Sequence, residues 1–114
     1  MPLAITIELA GDAVRLSQRE STTPNSKTNV VVMSSAVAAL VKAWFASPTA
    51  SLTASDVTVE VLDAGVRIMQ IVNVAGANEK RPIILTPAQF ATIKAWFALY
   101  GGTTAPESPL TVNP

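Results

Sequence analysis

The 114-residue sequence lacks both cysteine and histidine. Their absence excludes a disulfide framework, a metal site built on thiolates or imidazoles, a cysteine nucleophile and a Ser-His-Asp triad. Chemistry based on carboxylates or lysine stays open, but no cluster of either residue type stands out along the chain. We therefore expect a protein that is not an enzyme, has no catalytic or metal-ligating residues and needs no cofactor.

Charged residues are scarce as well: they make up 14% of the chain, and eight Lys or Arg balance eight Asp or Glu. Proteins that bind nucleic acid usually carry a basic excess, because phosphate neutralisation supplies most of their non-specific affinity. The zero net charge therefore weighs against nucleic-acid binding, unless the charges are segregated between faces. The apolar fraction is 49%, which predicts an ordered domain with one sizeable core.

Long apolar runs are missing, and none approaches the ~18 residues that a helix needs to span a bilayer. Residues 1–10 alternate between apolar and polar types, so they lack the continuous apolar run of a signal peptide. We expect a cytoplasmic or nucleoid-associated protein without membrane contact.

What the sequence does contain is an internal repeat. Residues 41–46 and 93–98 share the run Lys-Ala-Trp-Phe-Ala, and the step from position 41 to position 93 is an offset of 52 residues. Applied without gaps, this offset aligns residues 5–46 with residues 57–98, and 12 of the 42 pairs are identical. Roughly two or three identities would be expected by chance. The identical pairs include Glu8/Glu60, Arg15/Arg67, Gln18/Gln70, Trp44/Trp96 and Phe45/Phe97.

Each repeat begins with a predicted β-hairpin, since apolar and polar residues alternate on both sides of a turn, at residues 11–12 in the first repeat. This register places Glu8 opposite Arg15, and the equivalent register in the second repeat places Glu60 opposite Arg67. Opposite charges across a hairpin contribute up to ~1 kcal/mol, so the pattern favours ion pairs that set the register. The alternative is that both arginines reach phosphate.

A polar loop and a short third strand follow each hairpin. The loops are predicted at residues 20–28 and 73–81, and the strands at residues 29–33 and 82–85.

A capped helix completes each repeat. Thr86 is a suitable N-cap, with Pro87 at the first helical position and Gln89 completing a capping box, and Ser34 or Ser35 serves the first helix. The two Trp-Phe pairs would suit the stacking of nucleic-acid bases, but their place on an apolar helical stripe favours the core. In the first helix this stripe comprises Val37, Leu40, Val41, Trp44 and Phe45.

The sequence thus predicts an α+β fold: two tandem βββ(β)α repeats with antiparallel sheets and two amphipathic helices, packed about a pseudo-two-fold axis. A single domain is expected at residues 1–102, with repeats at 5–46 and 57–98. Residues 47–55, rich in Ser, Thr and Ala, are predicted to be a linker, and residues 103–114, with three prolines, a flexible tail.

The stretch from Arg81 to Lys94 resembles the last strand and helix start of the positive-cofactor-four type transcriptional coactivators. The shared pattern is a basic loop, a short apolar strand, a polar-Pro cap, an aromatic residue and an aliphatic-Lys step, and Val66-Arg67-Ile68 fits the preceding strand. The resemblance covers residues 5–98 and is best in the second repeat. Those coactivators form dimers on single-stranded DNA, and the similar Whirly and PUR-repeat proteins carry both units in one chain. The resemblance implies a single-chain pseudo-dimer that binds single-stranded DNA and regulates transcription.

The first functional hypothesis is therefore single-stranded DNA or RNA binding, as an accessory factor in transcription or replication. Basic side chains would hold the phosphates, and an asparagine would contact bases or sugar. Binding is expected to depend strongly on salt and little on sequence. The candidate residues are Arg15, Arg19, Lys27, Arg67, Asn73, Lys80 and Arg81.

The alternative hypothesis is a non-catalytic protein-interaction or oligomeric assembly module that keeps the fold without nucleic-acid binding. Met69 and Ile71 are predicted to lie on the open face of the second repeat, where apolar surface would mark the interface with a partner or with further copies of the chain. The charge balance favours this alternative, whereas the family resemblance favours nucleic acid.

Overall fold

The computed structural model describes residues 3–114, so residues 1 and 2, which the predicted domain includes, lie outside the described part. Eight strands and two helices form an α+β fold, which confirms the predicted class. In chain order the elements are β1 (Ile5–Ala10), β2 (Ala13–Arg19), β3 (Thr28–Met33), α1 (Ser35–Ala46), β4 (Ser51–Ala54), β5 (Val57–Leu62), β6 (Gly65–Val74), β7 (Ala77–Leu85), α2 (Pro87–Leu99) and β8 (Leu110–Val112).

The strands form two antiparallel sheets of four strands each, in the order β3-β2-β1-β8 and β4-β5-β6-β7. Three strands of each sheet come from one repeat, and the fourth comes from the segment that follows the helix of the other repeat. Thus β4, which follows α1, pairs with β5, and β8, which follows α2, pairs with β1. Each half of the chain therefore completes the sheet of the other half.

Both hairpins have the predicted register. Glu8 lies opposite Arg15 in β1–β2, and Glu60 lies opposite Arg67 in β5–β6. The alternation of buried and outward residues fixes this register, because a slip by one residue would turn every buried side chain to the opposite face.

Two glutamines at equivalent repeat positions join the two sheets. The side chain of Gln18 donates to the carbonyl of Ile84 and accepts from its N–H, both at 2.9 Å. Gln70 makes the same two bonds with the backbone of Val32, both at 3.0 Å. Since β7 and β3 are edge strands, each glutamine satisfies backbone groups that the sheets leave unpaired. This reciprocal pattern is the one that a two-fold relation between the repeats predicts.

The core is one cluster of buried side chains from both sheets and both helices. Phe45 and Phe97, at equivalent positions of the repeats, stack on each other with ring centroids 5.3 Å apart and an interplanar angle of 15°. The assignment of the Trp-Phe pairs to the core is therefore confirmed. The assignment of Leu40 to the same stripe is wrong: it is 52% exposed, because the buried face of α1 runs through Ala38 and Val41 instead.

Both helices begin at the predicted caps. Thr86 accepts a hydrogen bond from the Gln89 backbone N–H at 3.1 Å, and the Gln89 side chain accepts from the Thr86 N–H at 3.0 Å, which completes the capping box. In α1 the cap is Ser34, whose hydroxyl accepts from the Val37 N–H. These caps fix the points at which the chain passes from β3 and β7 into a helix.

The predicted polar loop at residues 73–81 is wrong. β6 continues to Val74 and β7 begins at Ala77, so the segment is a hairpin that turns at Ala75 and Gly76, with φ of 51° and 84°. Positive φ at both central positions is typical of a type I′ turn, but alanine adopts it rarely, and the turn therefore carries little sequence signal. As a result Lys80 and Arg81 lie within a strand rather than in or beside a loop.

Two short strands lie in segments where the sequence predicts only a linker, at residues 47–55, and a flexible tail, at residues 103–114. β4 and β8 are four and three residues long, and each contains a single buried residue, Ala54 and Val112. Strands this short give too few alternations for the period-2 pattern to be recognised.

Candidate functional site

The two arginines on the hairpins are held by glutamates across the strand. Arg15 Nη1 lies 3.0 Å from Glu8 Oε1, and Arg67 forms the equivalent ion pair with Glu60. All four side chains are partly exposed, so each pair contributes about 1 kcal/mol at most. The predicted cross-strand ion pairs are confirmed, and neither guanidinium group is without a counter-charge.

Two further candidate cations converge on one glutamate. Lys27 Nζ lies 2.8 Å from Glu79 Oε1, and Arg81 Nε lies 3.4 Å from the same oxygen. The hydrogen bond from Lys27 and the charges of both cations lower the pKa of the Glu79 carboxyl. Arg81 lies opposite the buried Gln70, on the inner side of β7, so it does not face the same way as Lys80.

The remaining candidates have separate surroundings. The Arg19 guanidinium donates to the carbonyl of Thr23 in the loop before β3. The Asn73 side chain accepts a hydrogen bond from the Gly76 N–H at 3.2 Å, so it stabilises the β6–β7 turn. Lys80 is exposed and forms no ion pair within residues 3–114.

The structure does not gather the predicted nucleic-acid residues into one basic surface. Arg15 and Arg19 lie on the first sheet, Arg67 and Lys80 on the second, and Lys27 pairs with Glu79. None of the eight described strands contains an aromatic residue on which a base could stack. Binding of nucleic acid by these residues stays a prediction.

Apolar side chains lie next to one another on the outer face of the second sheet, which we define by Met69, Ile71, Pro82 and Ile84. Met69 lies directly opposite Pro82 in the β6–β7 register. Ile71 and Ile84 are 37% and 46% exposed. Both predicted interface residues, Met69 and Ile71, therefore share one face with Pro82 and Ile84, and we call these four side chains the apolar strip. Arg67 and Lys80 lie opposite Ile84 and Ile71 and border it.

The second helix ends in a site where the chain covers its own tryptophan. The Trp96 indole N–H donates to the Glu107 carbonyl at 2.8 Å, and the ring of Tyr100 stacks on the indole at a centroid distance of 6.0 Å and an angle of 15°. Pro106 is buried, and the Ser108 hydroxyl accepts from the Leu9 N–H of β1 at 2.8 Å. Residues 100–109 thus form a tight cover over this end of the core.

Tyr100, the first residue of this segment, is hydrogen-bonded to the first hairpin and to α1. Its hydroxyl donates to the carbonyl of Asp12 at 2.7 Å, and its own carbonyl accepts from Lys42 Nζ at 2.7 Å. Burial, with the charge of Asp12, raises the pKa of the Tyr100 phenol, so the hydroxyl keeps the proton that it donates.

The first helix ends in an equivalent site, over which no described segment forms such a cover. Only residues 47–50 connect α1 to β4, against residues 100–109 between α2 and β8. Trp44 is 4% exposed, yet its indole N–H has no hydrogen-bond partner within residues 3–114. Beside it lies a groove of about 230 Å³, which we call the Trp44 groove, lined by Trp44, Pro48, Val61, Gly65, Val66, Pro87 and Phe90.

Sequence reasoning found the two tryptophans but not this difference between them. The difference could have been predicted from the length of the connection after each helix, residues 47–50 against 100–109. It was missed because most of the second connection was predicted to be a flexible tail.

A larger cleft of about 490 Å³ lies where the first sheet meets the edge of β7. Its walls include Leu3, Pro82 and Ile84, and Asn29 contributes a buried side-chain oxygen without a hydrogen-bond partner within residues 3–114. Gln18, which also lines the cleft, is already bonded to the backbone of Ile84.

Among residues 3–114 there is no group of three acidic side chains close enough to hold a metal ion. Neither described helix has the length and apolar character to cross a membrane. No protein-family model, curated protein sequence or solved structure matches this chain. The resemblance to the coactivator, Whirly and PUR-repeat proteins therefore stays an expectation, and the function has to be argued from the geometry.

Proposed function

We propose that this chain is a non-catalytic protein-interaction module that binds its partner, a second copy included, through the outer face of the second sheet. The observation that carries the proposal is the apolar strip of Met69, Ile71, Pro82 and Ile84, in which Ile71 and Ile84 are 37% and 46% exposed. Apolar surface of this kind, set among polar residues, is typical of protein interfaces.

The ion pairs support this proposal over nucleic-acid binding. Four of the six candidate cations, Arg15, Arg67, Lys27 and Arg81, already neutralise a carboxylate. To hold a phosphate, each would have to leave its glutamate or share the guanidinium or ammonium group with it. The counter-ion release that drives binding to nucleic acid is correspondingly small. A cytoplasmic location, expected from the sequence, belongs to the same proposal.

The test is self-association measured by sedimentation over a range of concentrations. We expect a concentration-dependent oligomer that Ile71→Glu disperses, because a buried, unpaired carboxylate in the interface is strongly unfavourable. Leu99→Glu is the matched control, since Leu99 is 44% exposed on α2, away from this face. The proposal would be contradicted if the chain is a monomer at every concentration and the wild type binds no partner that Ile71→Glu fails to bind.

Single-stranded nucleic-acid binding is the second candidate. Lys80 favours it, because this cation forms no ion pair in the described part of the chain and lies on the same face as Asn73, at the exposed end of the β6–β7 hairpin. Fluorescence anisotropy with a labelled oligonucleotide at low salt separates the two candidates. Affinity that falls when Arg67 and Arg81 are both replaced by alanine would favour nucleic acid over the interaction module.

A further inference from the structure

We infer that the Trp44 groove is a docking site for an extended, proline-containing peptide segment of a partner protein, which offers a backbone carbonyl to the Trp44 indole N–H. This inference goes beyond the proposed function, because the groove and the outer face of the second sheet are formed by different residues. Either surface can bind when the other does not.

The choice of occupant comes from the equivalent end of the same molecule. There the chain lays its own residues 103–109 over Trp96, as an irregular segment with prolines at positions 106 and 109. That segment places the Glu107 carbonyl 2.8 Å from the Trp96 indole nitrogen and buries Pro106. The chain thus shows which kind of peptide a Trp-Phe helix end of this fold accepts.

The Trp44 end has the matching donor and lacks the matching cover. Its indole N–H is buried and unpaired within residues 3–114, which is unfavourable until an acceptor reaches it. Val61, which lines the groove, is 53% exposed, whereas Leu9, its counterpart in the first repeat, is only partly exposed and donates its N–H to Ser108. The segment that would shield this end is therefore missing from the first repeat.

The walls of the groove include aromatic and proline side chains. Trp44 and Phe90 meet edge to face, at 6.1 Å and 84°, and Pro48 and Pro87 border the same space. Aromatic and proline walls of this kind bind extended proline-rich segments, which have no internal hydrogen bonds and so keep their carbonyls available. The volume of about 230 Å³ is below that of typical small-molecule pockets, which favours a short peptide contact over an enclosed ligand.

The experiment uses a peptide with the sequence of residues 103–110, Thr-Thr-Ala-Pro-Glu-Ser-Pro-Leu, added to the full chain. Because the chain contains two tryptophans, its ¹⁵N-labelled form gives two indole N–H signals, which Trp→Phe variants assign. We expect the Trp44 signal to move and to saturate with added peptide, while the Trp96 signal stays in place. A peptide with both prolines replaced by alanine should bind at least several-fold more weakly.

Two variants test the contact itself. Trp44→Phe removes the N–H but keeps an aromatic ring, and should weaken binding about fivefold, the effect of one hydrogen bond. Because this variant has no Trp44 signal, binding to the variants is measured by fluorescence anisotropy of the labelled peptide. Val61→Glu places a carboxylate in the groove from an exposed position and should abolish binding without affecting the fold. Val74→Glu is the matched control, because Val74 is 43% exposed at the distant β6–β7 turn, and it should bind as the wild type does.

Three results would overturn the inference: no movement of the Trp44 signal at millimolar peptide, movement of the Trp96 signal alone, or equal binding by wild type and Val61→Glu. The Ile71→Glu variant separates this inference from the proposed function. If it binds the peptide normally while losing self-association, both proposals hold. If self-association is present and the peptide does not bind, only the docking site is rejected.

Discussion

The two ends of the core, at Trp44 and at Trp96, start from the same run of residues and finish differently. Both tryptophans are buried, at 4% and 3% exposure, and both meet the neighbouring phenylalanine edge to face. Within residues 3–114 only Trp96 has a hydrogen-bond acceptor, which the long connection after α2 supplies. The comparison shows that the repeated residues determine the core, while the connection after each helix determines whether the end of the core is closed.

A second contrast lies between what the repeats share and what they do not. The glutamines that join the sheets, Gln18 and Gln70, make the same two bonds in both directions. Lys27 and Glu79, which the 52-residue offset makes equivalent, have opposite charges and bind each other. Residues at the contact between the two halves therefore depend on their partners in the other half. The two ends of the core do not contact each other in this way, and they differ.

The largest predicted effect tests whether the C-terminal segment is a cover or a tail. Deletion of residues 103–114 removes β8, the burial of Val112 and the acceptor for the Trp96 N–H. We expect the free energy of unfolding in urea to fall by about 3–5 kcal/mol, from one buried valine and several hydrogen bonds. Deletion of the exposed residues 113–114 alone is the control. If the longer deletion leaves the free energy of unfolding unchanged, the sequence-based prediction of a flexible tail would be supported instead.

The two glutamines that join the sheet edges should contribute about equally to stability. Gln18→Ala and Gln70→Ala each leave an edge-strand N–H and C=O without their partners, and should each cost about 2–3 kcal/mol of unfolding free energy. A two-fold relation between the repeats requires the two losses to be similar. Losses that differ by more than about 2 kcal/mol would argue against that relation. Ser17→Ala, on the opposite face of β2, is the control and should be close to neutral.

Sequence reasoning predicted the features that depend on local patterns. The hairpin registers follow from alternation around Glu8 and Glu60, the helix starts from the capping box at Thr86, and the core from the helical spacing of Trp44 and Phe45. These are short-range signals, and each repeat supplied an independent copy.

The rest depends on contacts that no local pattern contains. β4 and β8 exist because the other half of the chain offers an unpaired strand, and the turn at Ala75 requires a backbone conformation that alanine rarely signals. The identity of Gln18 and Gln70 was visible in the alignment, but their partners are on another sheet. The unpaired N–H of Trp44 is a difference between two copies of the same residue, and only their surroundings show it.

A smaller effect measures the difference between the tryptophans directly. Trp96→Phe leaves the Glu107 carbonyl without its donor, whereas Trp44→Phe removes a donor that has no partner among the described residues 3–114. The loss of ring volume is the same, so Trp96→Phe should reduce the free energy of unfolding by about 1–2 kcal/mol more than Trp44→Phe. Urea denaturation followed by circular dichroism gives both values. Equal losses would mean that the two indole N–H groups have equivalent surroundings.

The smallest effect concerns the equivalent positions 27 and 79, where the repeats carry opposite charges. The hydrogen bond and charge of Lys27, helped by Arg81, lower the pKa of Glu79 below its ordinary value of 4.5. A carboxyl with a lowered pKa in the folded state stabilises the fold above its unfolded pKa, and this contribution is lost as the pH falls through the folded value. Stability should therefore decline from about pH 5 downward less steeply in Glu79→Gln than in the wild type.

The free energy of unfolding of wild type and of Glu79→Gln is measured in urea at each pH from 3 to 7. The difference between the two cancels the titration of the other carboxylates. High salt should reduce the difference, because the pair is exposed enough for screening to act on it. Lys27→Gln should flatten the profile less than Glu79→Gln, since Arg81 still lowers the pKa of the Glu79 carboxyl in that variant. If both variants keep the wild-type dependence of stability on pH, the ion pair between Lys27 and Glu79 does not stabilise the contact between the two halves. The glutamine hydrogen bonds and the stacked rings of Phe45 and Phe97 would then stabilise that contact without a contribution from charge.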